Sequence, residues 1–248
     1  PTVSRICSGT APRTNREKRN FTCKKTDIMK RDNYKYIQYF LVPYLTFALG
    51  LLLLILFVPK EELHLMMTRH RSVAADWFFR IWTEVGGIIP FIIIIFILFY
   101  RYSAAFFLAA SQLTGLLIAL IVKNIFHAPR PSLYFKEFYP EILLPTVPGF
   151  DLMTYNSFPS GHTVNAFALF FCLALITKNK WIEFLCFVAA ALVGYSRIYL
   201  SQHFAIDVLP GSLIGVISAW MVYPYYLKLH RKWQKHSLAD YFIRKNRN

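Results

Sequence analysis

The sequence predicts an all-α polytopic membrane protein, six transmembrane helices in a bundle, with its functional residues at the outward helix ends. Three observations predict it. The composition is 56% hydrophobic and 17% aromatic, yet the net charge is +15, so apolar and basic segments are segregated along the 248 residues. Six stretches, 36–58, 78–100, 103–122, 161–177, 181–199 and 204–227, approach the roughly 20 mostly apolar residues that a helical span needs. Polar residues capable of chemistry cluster at the ends of these stretches, on one side.

The basic excess follows the spans rather than forming a nucleic-acid surface. Of the 28 Lys and Arg, 20 fall in the two tails and the second and fourth connections, and eight in the first, third and fifth. The positive-inside rule then puts both termini in the cytoplasm and the odd-numbered connections outside. The expected organisation is a basic cytoplasmic tail over 1–35, a six-helix domain over 36–228 and a second basic tail over 229–248. Residues 1–28 read as an upstream extension, because MKRDNYK at Met29 looks like a translation start. Cys7 and Cys23 lie in the tail and Cys172 and Cys186 in spans, with no zinc-ligand spacing, so neither a disulfide framework nor a metal site is expected.

Taken in order, the first outward connection carries Lys60, His64, Arg69, His70 and Arg71 and runs into DWFFRIW at 76–82. Aromatic rings of that kind favour the headgroup layer and anchor the second span. Pro43 and Pro90 sit inside spans, where neighbouring helices tolerate a kink. The third span ends at Lys123 and continues as KNIFHAPRP. A cation at mid-bilayer costs roughly 2.5–3.5 kcal/mol, so Lys123 and Arg130 must reach the interface or a wet cavity. Two helical turns apart on a continued helix, both would point into one pocket, with Pro129 and Pro131 ending the helix near Arg130. The third outward connection, 132–159, is long and aromatic and reads as a cover over whatever lies below. It ends in SFPSGHT, where Ser160 is a natural N-cap, Gly161 permits close approach of a ligand, and His162 stands in the first turn. A helix N-terminus of this kind is an anion site. The fifth connection, SRIYLSQHFAID, places Arg197, His203 and Asp207 together. Four residues apart on a helix, His203 and Asp207 would share a face, with the carboxylate orienting the imidazole.

Together the three motifs offer cations at Lys123, Arg130 and Arg197, neutral donors at Ser160 and Gly161, two histidines and one carboxylate. That is the chemistry of a phosphate site with its own catalysts. At Lys123, Arg130, Pro131, Pro159, Ser160, Gly161, His162, Ser196, Arg197, His203 and Asp207 the sequence resembles the type 2 phosphatidic acid phosphatases, whose signature is K-x6-RP, PSGH and SR-x5-H-x3-D. That superfamily includes bacterial acid phosphatases and vanadium haloperoxidases. The motifs cover about 100 residues without a departure, and the six-span pattern extends the likeness over 36–228.

The resemblance implies a metal-independent, integral-membrane lipid phosphatase that needs no cofactor. His203 would attack phosphorus to give a phosphohistidine, with Asp207 fixing its tautomer and stabilising the imidazolium. His162 would protonate the leaving oxygen and then activate water. Lys123, Arg130, Arg197, Ser160 and Gly161 would hold the equatorial oxygens. The implied partners are a phosphorylated lipid and the bilayer, with no nucleic acid. Among substrates the chain as a whole is most similar to the bacterial lipid A phosphatase branch, and in a bacterial host the outward side given by the Lys and Arg distribution is the periplasm. Undecaprenyl pyrophosphate and phosphatidate or phosphatidylglycerol phosphate are the alternatives. A vanadate-dependent haloperoxidase and a non-enzymatic lipid carrier are remoter readings, the latter disfavoured because both histidines are intact.

Overall fold

Long apolar runs without strict alternation favour helix over strand, and every regular element among the described residues is helical. The computed structural model describes residues 37–177 and 179–232. The expectations for the tail over 1–35 and for residues beyond 232 lie outside them. The first helix, α1, spans Ile37–Phe57. It is followed by α2 (Lys60–Thr68), α3 (Val73–Trp82), α4 (Ile89–Tyr100), α5 (Tyr102–Phe126), α6 (Pro131–Phe138), α7 (Gly161–Thr177), α8 (Lys180–Tyr199) and α9 (Ala205–Lys232). Residues 229–232, expected in a tail, are therefore the last turn of a helix.

Among the described residues four helices, α1, α5, α8 and α9, are long and apolar enough to cross a bilayer. The expected second span is broken: α3 and α4 meet at 49° across the turn at Thr83–Ile88. Gly86 and Gly87 disfavour helix at that point, and Pro90 suits the first turn of α4, where its missing N–H has no intrahelical partner to lose. Counted as one, the bent pair makes a fifth span. A count of six needs α7 as well, and its 17 residues are short for a crossing.

α7 is apolar all round, as a helix enclosed by others must be, and it packs against α5, α8 and α9. Its Thr163–Leu169 stretch is buried without interruption. In the apolar window of α9, 61% of residues are buried, against 17% in α1, so α9 lies inside the bundle and α1 at its lipid-facing edge. Phe40, Phe107, Phe167 and Phe171 fill the core between these helices. Against lipid tails as apolar as themselves, such rings gain mainly from close packing rather than from escape from water. Close packing also fixes the approach of α9 to α7. A Cβ at Gly211 would stand 2.8 Å from the Ser160 carbonyl oxygen, and one at Gly215 would stand 2.5 Å from that of Val164. These two glycines, four apart on one face, let α9 lie on the α7 backbone and bring the second and third motifs together.

Candidate active site

The site grows from three chain segments that end at the same level. α8 stops at Tyr199, and the chain folds back so that the Arg197 carbonyl accepts the N–H groups of both Gln202 (3.0 Å) and His203 (3.1 Å). Ser201 takes the left-handed conformation, φ 51°, that the reversal requires. These bonds satisfy an orphan carbonyl of the α8 terminus and lock His203 beside Arg197. α9 begins at Ala205, which makes Asp207 its third residue. The Asp207 carboxylate accepts the Phe204 N–H at 2.9 Å, the return half of a capping box.

His203 therefore precedes the helix, and the expectation that it shares a helical face with Asp207 is corrected. Its Nδ1 lies 3.7 Å from Asp207 Oδ2, too far for a direct hydrogen bond. Ser157 stands between them: its hydroxyl donates to Asp207 Oδ2 at 2.6 Å and lies 3.4 Å from His203 Nδ1. Nothing in the sequence pattern singles out Ser157, since its neighbours Ser160 and His162 carry the recognisable motif. A hydrogen bond to a charged group contributes about 1.5–3 kcal/mol. Ser157→Ala is accordingly expected to lower kcat by roughly 10- to 150-fold with KM little changed, as steady-state phosphate release will show.

The first motif is also rearranged. α5 runs to Phe126, past the expected end at residue 122, so Lys123 lies in its last turn. His127 ends the helix in the left-handed region, φ 42°, and Pro131 starts α6. Lys123 and Arg130 are thus not on one continued helix. They still converge, because the loops bearing the first two motifs are tied together. Arg130 N–H donates to the Thr154 carbonyl at 2.8 Å, Ser157 N–H to Ala128 at 2.9 Å, and Ser132 Oγ to Met153 at 2.6 Å. Lys123 Nζ donates to the Asn156 carbonyl (3.1 Å). Arg130 is buried, with Nε on the Tyr155 carbonyl (2.9 Å) and Nη1 on Gln202 Oε1 (2.8 Å). Gln202, itself anchored on the Asp151 carbonyl at 2.8 Å, is a support that sequence reasoning missed.

Arg197 is likewise buried, its Nη1 donating to Thr83 Oγ1 at 2.7 Å while Nε has no hydrogen-bond partner among the described residues. Thr83 comes from the bend between α3 and α4, so the break in the second span is part of the site. The bend also reaches His162. A Cβ on Gly86 would collide with the His162 carbonyl, and the Gly86 carbonyl accepts the Asn165 side-chain amide at 3.1 Å. A Gly-Gly pair inside an apolar run is the signal that would have marked this approach. At the start of α7, the Ser160 carbonyl accepts the Val164 N–H (3.0 Å). Its own N–H is committed to the Asp207 carbonyl (3.0 Å), and its hydroxyl accepts from Thr163 Oγ1 (2.9 Å). Of the donors expected from Ser160, only the hydroxyl proton is left to face a ligand. A Cβ on Gly161 would meet nothing within 4 Å, so open space lies in front of it.

Electrostatically the residues form one unit. The charges of Arg197, Arg130 and Lys123 act on His162, as does His203. Burial holds the His203 imidazole well below its ordinary range, and Arg130, Arg197 and Lys123 push in the same direction. His203 is therefore neutral, with a lone pair available to attack.

The outer connections fold over this centre. In α2, Lys60 Nζ sits 3.6 Å above the Tyr134 ring and 4.8 Å from that of Phe204. Arg71 donates to the carbonyls of Pro145 and Tyr199. Both cations brace the fold. His64 is buried, 3.3 Å from Ser201 Oγ, and desolvation with the nearby Arg71 pushes it from 6.5 to about 4. The unfolded chain binds protons at His64 and His203 below about pH 6.5 that the folded protein excludes. Their contribution to stability is full above that pH and is lost as pH falls toward 4. Thermal unfolding in detergent at constant ionic strength is expected to show the transition falling across that interval, and a His64→Phe variant is expected to fall less.

With this geometry in hand, known proteins give the site a family. The profile of the PAP2 superfamily matches residues 103–231. The lipid A 4'-phosphatase of Porphyromonas gingivalis is 31% identical over 182 residues, which cover 70% of this chain and 75% of that protein. The undecaprenyl-diphosphatase BcrC of Bacillus subtilis is 26% identical over 113 residues, 46% of this chain and 53% of that one. Among solved structures, the crystal structure of Aquifex aeolicus LpxE superposes with a TM-score of 0.57 at 31% identity, covering 69% of this chain and 96% of that one. The three motifs all fall within the matched region, and the chain belongs to the PAP2 superfamily.

Proposed function

We propose that this membrane lipid phosphatase removes phosphate from lipid A at the periplasmic face of a bacterial inner membrane, through a phosphohistidine on His203 and without a metal ion. The observation that carries the reading is His203, buried against Ser157 and Asp207 and within reach of the charges of Arg130, Arg197 and Lys123. His203 attacks phosphorus in line, and the bond to the leaving oxygen breaks as His162, which takes up a proton when the phosphate charge enters among the cations, supplies that proton to the oxygen. His162 then takes a proton from the water that cleaves the phosphohistidine, returning both histidines to their starting state. Asp207, held by Ser157, balances the imidazolium charge during the intermediate. Each cation about 4 Å from a phosphate charge contributes roughly 4 kcal/mol of gross attraction at an effective dielectric of 20. Three of them, with the Ser160 hydroxyl and the Gly161 N–H, supply the positive field that a metal ion supplies in other phosphatases.

The choice of lipid A rests on the length of the match to the Porphyromonas enzyme, against the shorter match to the diphosphatase. The periplasmic side, and with it cytoplasmic termini, rests on the 20-to-8 distribution of Lys and Arg. The test is phosphate release by the purified protein from lipid A, undecaprenyl pyrophosphate, phosphatidate and phosphatidylglycerol phosphate in matched micelles. A preference in kcat/KM of tenfold or more for lipid A is expected, about 1.4 kcal/mol of discrimination, with no loss on adding chelator. A comparable preference for the diphosphate overturns the choice of substrate. Activity abolished by chelator and restored by a divalent ion overturns the mechanism.

A further inference from the structure

The pocket is not equally enclosed on all sides. His203 lies at its buried end, His162 is partly exposed, and Glu84, in the bend between α3 and α4, is exposed. A Cβ on Gly161, the residue before His162, would also meet nothing within 4 Å. For in-line displacement the leaving group departs opposite the nucleophile, so it leaves from the deep end toward the rim, past His162. Glu84 occupies that rim. Its Oε2 lies 2.7 Å from the point where a Cβ of Gly87 would stand, and His162 Nε2 lies 3.2 Å from the same point. Carboxylate and imidazole therefore border one small volume on the leaving-group side. Asp207 is the carboxylate of the opposite side, against His203. The charge of Glu84 also reaches Arg197.

We propose that Glu84 is a specificity-determining residue that favours lipid phosphomonoesters with a neutral sugar alcohol as leaving group over lipid diphosphates. Cleavage of a diphosphate releases a lipid monophosphate, so negative charge accumulates on the leaving group at the rim. A fixed carboxylate there repels it. When the leaving group is a sugar alcohol, the same carboxylate accepts a hydrogen bond from a neighbouring hydroxyl or amide N–H. Discrimination comes from a repulsive element set against the wrong substrate as much as from attraction to the right one. This inference rests on the lipid A reading above and sharpens it, because the two leading substrates differ in the charge of their leaving groups.

The experiment compares wild type, Glu84→Gln and Glu84→Ala as full-length protein in detergent, each checked for an unchanged thermal transition. Readouts are kcat/KM for lipid A and for undecaprenyl pyrophosphate, and inhibition by inorganic phosphate and inorganic pyrophosphate. In both variants the ratio of kcat/KM, diphosphate over lipid A, is expected to rise at least tenfold, and pyrophosphate to inhibit more tightly while phosphate inhibits as before. An unchanged ratio overturns the proposal. So does an equal loss on both substrates, which would make Glu84 a support for Arg197 and nothing more. If wild type does not cleave lipid A, the substrate reading fails. The phosphate and pyrophosphate inhibition constants still decide the role of Glu84 in that case.

Discussion

His203→Ala is expected to release phosphate at least about 10⁴-fold more slowly than wild type while remaining folded. Removing a nucleophile forfeits the covalent route, and what is left is binding and charge stabilisation by the rest of the site. The fold should survive because the ring carries little of the structure. Its polar side-chain neighbours, Ser157 and Asp207, keep their own bond at 2.6 Å, and the turn is held by the backbone N–H of residue 203, which alanine retains. Rapid quenching in base should trap a base-stable, acid-labile phosphate on wild type and none on the variant. Turnover in His203→Ala above about one hundredth of wild type would contradict nucleophilic catalysis by this residue.

Asp207→Asn is expected to lower kcat by roughly 10³- to 10⁴-fold at nearly unchanged stability, by analogy with loss of the orienting carboxylate in a catalytic triad. The reasoning separates the two duties of this side chain. An amide oxygen can still accept from Ser157 and from the Phe204 N–H, so the cap on α9 persists. What disappears is the negative charge that balances the imidazolium of the phosphohistidine. Asp207→Ala removes both, and a further loss of about 0.5–2 kcal/mol of stability is expected from the missing cap. Thermal unfolding and kcat measured on the pair resolve the contributions. Equal activity of Asp207→Asn and wild type would reduce Asp207 to a structural cap.

The helices were legible because length and apolarity are local properties, and 161–177 and 181–199 agree with α7 and α8 to within a residue. The motif residues stand out in the sequence because phosphate chemistry demands particular side chains, and in the structure the charges of Arg197, Arg130 and Lys123, with His203, all reach His162. Their supports were not legible. Thr83 and Arg197 are 114 residues apart, Gln202 and Arg130 are 72 apart, and Ser157 and Asp207 are 50 apart. A serine, threonine or glutamine is unremarkable in sequence until the fold delivers its partner. The bend at Thr83–Ile88 was hidden for a different reason. Hydropathy averages over a window, and a window centred on two glycines between apolar helices still reads as one span. The misplacement of His203 on a helical face came from treating i,i+4 spacing as helical where the helix has not yet begun.

The capping role of Asp207 has a historical consequence. Its carboxylate starts α9, and its carbonyl receives the Ser160 N–H from the start of α7. A descendant that abandoned phosphate release and kept the scaffold for another purpose would feel little pressure to retain His203 or His162, whose rings do mainly chemistry. It would still need an acceptor at position 207 to hold two helix ends together. In diverged copies of this chain, the carboxylate should therefore outlast the nucleophile it serves. A copy that has lost both histidines while keeping Asp207 is the form that a retired enzyme of this kind should take.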